Sequence, residues 1–87
     1  MDAPDFTRSS YEFLVTEVET GLTFARIALD EKTDEDKITR NTRNARAAFD
    51  AVLRFRDRVA LGAPEAALLE RTMADLRRNL VQLGEDV

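Results

Sequence analysis

The residues of this chain best equipped to do chemistry are arginines. Between positions 37 and 58 stand seven basic residues (Lys37, Arg40, Arg43, Arg46, Arg54, Arg56, Arg58) and two acidic ones (Asp50, Asp57), a local charge of +5 that leaves −9 for the rest of the chain. Guanidinium groups grip carboxylates and phosphates through paired N–H donors. Arg40, Arg43, Arg54 and Arg58 share one side at helical spacing, with Ala47 and Ala51 between them, and form a basic face. A stripe of this kind could contact nucleic-acid phosphates. No Gly-rich loop or aromatic platform accompanies it and Asp50 sits in its middle, so a solvated face, or one paired with acidic residues, is the expectation. Arg56 differs because it interrupts an apolar stripe. Its stem can pack while its guanidinium reaches Glu12 or Glu70, or it could anchor a ligand's anionic group.

A second group is acidic. Asp30, Glu31, Asp34, Glu35 and Asp36 place five carboxylates within seven residues, without the Asp-x-Asp-x-Asp-Gly spacing of a calcium-binding loop. Their position at a helix start, where the dipole favours negative charge, accounts for them without a metal. There is no Cys and no His, which removes disulfides, thiolate nucleophiles, zinc sites of the usual kind and imidazole acid–base catalysis. Nothing pairs the remaining acids and bases with a nucleophile. The expectation is a protein that is not an enzyme, with no catalytic residues, no cofactor and no metal.

Eighty-seven residues are enough for one domain, 1–87. With 44% hydrophobic and 34% charged residues, the composition is that of a folded chain rather than a disordered one. A net charge of −4 argues against the whole surface coating nucleic acid or an anionic membrane. The opening Met-Asp-Ala-Pro-Asp-Phe has no basic, then apolar, leader pattern. No run approaches the ~20 apolar residues of a membrane span. A cytoplasmic protein without a membrane partner is expected.

The elements that must hold these residues are helices. Stripes recur at intervals of four and three along Tyr11, Val15, Val18, Leu22, Ala25, Leu29; along Ile38, Thr42, Ala45, Phe49, Val52, Arg56, Val59; and along Leu69, Met73, Leu76, Leu80, Leu83, apolar but for Thr42 and Arg56. Ser9 to Glu12 and Thr33 to Asp36 read as capping boxes. Pro4 offers an earlier start for the first helix, because proline suits the first helical position. Gly62 reads as a left-handed stop, Pro64 reopens a helix and Gly84 ends it. The spacing predicts helices over about 9–31, 34–60 and 64–83, after a flexible segment 1–8. Long helices with short loops imply an all-α, up-down-up antiparallel three-helix bundle.

Folding the second helix onto the first about residue 32 aligns positions whose numbers sum to roughly 65. Gly21, Ala25 and Ala28 then face Thr42, Ala45 and Ala48, small against small. The first helix also has a second apolar strip, Phe13, Phe24 and Ile27 with Thr20 between them, roughly opposite its main stripe. A three-helix bundle buries one face of each helix, so this strip is a candidate interface. It would serve a homodimer, or another protein's helix or peptide.

The spacing Gly21-x-x-Phe24 and Ala45-x-x-x-Phe49-x-x-Val52 resembles the helical hairpin of tetratricopeptide repeats. The interval between Phe24 and Ala45 is longer than that motif's, Glu17 stands where it has an aromatic, and no proline closes the second helix. The lengths are similar to those of microtubule-interacting-and-transport domains. That resemblance implies a scaffold that takes helical peptides in a groove, and it assigns no residue a role.

Overall fold

Pro4 suits a helix's first turn, and the first helix does begin there rather than at Ser9. The computed structural model describes the backbone of residues 3–87 and the side chains of residues 10–87. Its elements are α1 (Ala3–Asp30), α2 (Glu35–Phe55), a 3₁₀ turn (Arg56–Arg58) and α3 (Ala63–Gln82), with no strand among the described residues. The segment 1–8, expected to be flexible, is therefore helical from Ala3 on, while residues 1 and 2 lie outside the described part. Ser9 lies inside α1 and cannot cap its start. The connections 31–34 and 59–62 are short, so neighbours run antiparallel and the fold is the expected up-down-up three-helix bundle.

The turn between α1 and α2 is organised by two carboxylates. Asp34, not Thr33, is the N-cap: it is extended (φ −89°, ψ 95°) and its Oδ1 accepts the Lys37 N–H at 3.0 Å. Glu31, just past α1, turns its Oε2 back to accept the backbone N–H of Asp34 at 3.0 Å and of Thr33 at 3.3 Å. Its Oε1 lies 3.4 Å from Lys37 Nζ. The backbone N–H of Asp34, then that of Thr33, hold the Glu31 carboxyl below its ordinary value near 4.5. A depressed carboxyl stabilises the fold above its unfolded-state value, and that contribution is lost as pH falls through the folded-state value. Glu31→Gln is therefore expected to flatten the acid limb. Urea titrations from about pH 6 down to about pH 3 should show wild type losing more stability than the variant. Equal losses would mean that the carboxylate does not hold the turn.

At the other end α2 stops at Phe55, five residues short of the predicted 60. The chain tightens into one 3₁₀ turn, with the Val59 N–H donating to the Arg56 carbonyl at 3.2 Å. The reason lies in the core: Val59 and Leu61 both pack against it. Two residues apart on a continuous helix they would point ~200° away from each other. Gly62 is not left-handed (φ −69°, ψ 165°); it caps α3, its carbonyl accepting the Ala66 N–H at 2.9 Å. Gly84 does take the left-handed conformation, at φ 92°. The Gly84 N–H donates to the Val81 carbonyl at 3.0 Å and the Glu85 N–H to the Leu80 carbonyl at 2.9 Å, the paired bonds that close a helix C-terminus.

The core is built on α1. Leu14, Val18, Gly21, Ala25 and Ala28 are its buried residues, whereas Val15, Leu22 and Leu29 of the predicted stripe are only half-buried. The face is thus centred one position away from the prediction, because α1 packs against both α2 and α3 while those two touch each other least. Two neighbours bury a wider arc than one. Across it stand Ala45, Ala48, Phe49 and Val52 of α2 and Leu69, Met73, Leu76 and Leu80 of α3, all buried as the periodicity predicts. Small residues do face small ones, but the register is slipped by about one turn. Gly21 lies against Ala48 and Phe13 against Phe55, pairs summing to 69 and 68 rather than 65.

Candidate functional site

Arg46 and Arg56 show which side of α2 the third helix occupies. Arg46 Nη1 donates to Glu85 Oε1, just beyond the end of α3, at 3.1 Å, and Arg56 Nη1 donates to Glu70 Oε2 on α3 at 2.8 Å. Phe55 follows Arg46 by nine residues, about two and a half turns, and so points the opposite way. Its ring meets Phe13 of α1 edge to face, with centroids 6.3 Å apart and planes at 74°. Phe13 and Phe55 therefore mark the side of the α1–α2 hairpin that α3 leaves open.

The predicted strip lies along this side. Phe13 is 48% exposed and Thr20 is exposed, while Phe24 and Ile27 are half-buried and Phe24 packs against the core. Because the true core face of α1 is centred on Leu14 and Val18, the strip flanks the core rather than standing opposite to it. Phe13 of α1 touches Phe55 of α2, and Phe13 and Thr20 are the exposed members of the strip. Leu53 of α2 and Leu68 and Val81 of α3 are also exposed.

The basic residues divide into two sets. Arg40, Arg43, Arg54 and Arg58 are exposed, and none has an ion-pair partner among the described residues. The guanidinium carbons of Arg54 and Arg58 lie 5.5 and 5.7 Å from the centre of the half-buried Phe55 ring, which also packs against the core, so two cations frame the aromatic pair. Arg46 is engaged, with Nε donating to Asp50 Oδ1 at 3.1 Å as well as Nη1 to Glu85. The bond to Asp50, then that to Glu85, raises its proton affinity further. Arg56 is bonded to Glu70 instead of standing free, which supports packing and pairing over a ligand anchor.

Beside Arg46, a shallow groove runs between α2 and the end of α3, lined by Ile38, Thr42, Leu83 and Glu85 among others. Thr42 is 8% exposed and its hydroxyl has no hydrogen-bond partner. An unpaired buried hydroxyl costs stability that an isosteric methyl does not. Thr42→Val is expected to stabilise the fold by about 1 kcal/mol in urea unfolding; a loss of stability would show that the hydroxyl is bonded in solution.

Among the described residues no three acidic side chains come together as a metal site, and no helix is long and apolar enough to cross a membrane. Residue periodicity passed over Phe55, although an aromatic flanked by Arg54 and Arg56 and half a turn out of phase with Arg46 was a readable signal. It also passed over Glu85, which only the turn at Gly84 brings back to α2. No family model, no curated protein and no solved structure matches this chain.

Proposed function

We propose that this chain is a non-enzymatic helical protein-interaction module, and that the open side of the α1–α2 hairpin is its contact surface. The observation that supports this most is the Phe13–Phe55 pair, in which the exposed Phe13 ring rests on a half-buried Phe55 framed by Arg54 and Arg58. Aromatic and arginine side chains are the groups that most often anchor protein contacts. Thr20, Phe24 and Ile27 extend the surface along α1, and the small side chain of Ala51 leaves α2 low enough for another helix to approach. The same arginines serve nucleic acid less well, because two of them already sit on an aromatic ring and the α1 side of the surface carries Glu17.

A photo-crosslinking residue placed at Phe13 in cells tests the reading, with the exposed Ala67 of α3 as control position. Protein adducts from position 13 and not from 67 are expected. Equal labelling at both, or none at 13, overturns it.

A further inference from the structure

Resting on that reading, we infer that the occupant of the open face is a second copy of this chain, related by a two-fold axis parallel to the helices, so that α1 of each copy lies on α2 of the other. Charge and register select this partner. From Tyr11 to Asp30, α1 carries four acidic residues (Glu12, Glu17, Glu19, Asp30) and one basic, Arg26. Beyond its first turn, α2 carries a single carboxylate, Asp50, and that is spent on Arg46 toward α3. The open face thus has an acidic side along α1, with Glu17 on the flank of the strip nearer the core and Glu12 on the opposite flank, and an unpaired basic side, Arg40, Arg54 and Arg58, along α2. A surface with one side of each sign is complementary to itself, which is what a two-fold interface requires.

Two closed arrangements can stack two such hairpins face to face. An axis running across the helices sets α1 on α1 and α2 on α2, acid on acid and base on base. An axis along the helices sets each α1 on the partner's α2 and leaves heights unchanged. Residues level within one copy have numbers summing to about 68, as Phe13 with Phe55 and Gly21 with Ala48 show. The partner's Glu17 then stands level with Ala51, within one turn of Arg54, and the partner's Glu12 stands within one turn of Arg58. The partner's Phe13 comes to the height of Phe55, where four aromatic rings meet at the centre of one end. Two-fold symmetry makes each contact twice. The α2 helix is ~31 Å long and two packed helices are ~20 Å wide, so each copy offers ~600 Å². That is the lower end of what stable dimers bury per partner.

Sedimentation equilibrium across a concentration series, on wild type, Glu17→Arg, Arg54→Glu and the equimolar mixture of the two variants, tests this. Each variant alone faces like charges at both symmetric contacts. The mixture restores both. The arginine introduced in one chain meets the glutamate introduced in the other, while the untouched Arg54 and Glu17 meet each other. Wild type is expected to dimerise, each variant to associate about tenfold more weakly, and the mixture to recover wild-type affinity as a heterodimer. Should Glu17→Arg disturb the half-buried edge and unfold, Glu12→Arg with Arg58→Glu repeats the design at exposed positions. A wild type that stays monomeric at every concentration overturns the inference, and so does a dimer indifferent to both charge swaps. Either result combined with protein adducts at position 13 removes the second copy as occupant and leaves the contact surface standing.

Discussion

Leu76→Ala is expected to lower the free energy of unfolding by about 2–5 kcal/mol. Leu76 is fully buried, and it belongs to α3 while reaching the middle of α1, where its two methyl groups are among the nearest neighbours of Gly21. Truncation removes apolar area and leaves a void bounded by Gly21 and Ala48. Neither has a side chain long enough to move in. For a domain of 87 residues such a loss is comparable with the whole stability. Urea unfolding followed by circular dichroism reads it as a lower midpoint at unchanged slope. A change below ~1 kcal/mol would mean that Leu76 is not enclosed between the helices.

Gly21→Leu should do still more damage, and from the opposite direction. A Cβ at position 21 would stand 2.8 Å from Leu76 Cδ2 and 3.0 Å from Ala48 Cβ. The Leu76 methyl can swing aside. Ala48 Cβ is fixed to the α2 backbone and can yield only if α1 and α2 part. Alanine at position 21 gains ~1 kcal/mol of helix propensity, which offsets part of that crowding. Leucine adds three more carbons to a space that has none, and a loss of about 3 kcal/mol or more is expected. The two sites touch, so their effects should not add. Gly21→Ala ought to be better tolerated in the Leu76→Ala background, where one of its two clashes is gone. A thermal melt in which Gly21→Leu matches wild type would contradict the close approach of α1 and α2.

These two positions show how far the amino-acid pattern reaches. The period of apolar residues gave three helices and all four buried residues of α3, because α3 presents one narrow face to one neighbour, chiefly α1. For α1 the same pattern misplaced the centre, taking Val15 and Leu22 and omitting Leu14. A helix wedged between two others is apolar around a wide arc, and periodicity finds the arc without finding its middle. Punctuation was legible at Gly84, which closes α3 as expected, and one residue out at α2, where Asp34 rather than Thr33 is the cap. It misled at Gly62, whose conformation is set by Val59 and Leu61 turning inward, and at Ser9, which Pro4 pre-empts. For the open face, Phe13, Phe24 and Ile27 were readable one helix at a time. The contact between Phe13 and Phe55 depends on the register of α1 against α2, which slips by a turn and which no single helix encodes.

The unequal packing of the three helices also orders their release. Since α2 and α3 hardly meet, α3 is held by α1 and by two exposed or half-exposed ion pairs, Arg56–Glu70 and Arg46–Glu85. An opening that swings α3 away about residues 59–62 leaves the α1–α2 pairing intact, whereas any movement of α1 breaks both of its seams. Backbone amides in the middle of α1 should therefore exchange with deuterium only through global unfolding, and those of α3 through an earlier, smaller excursion. The central helix is the last to let go.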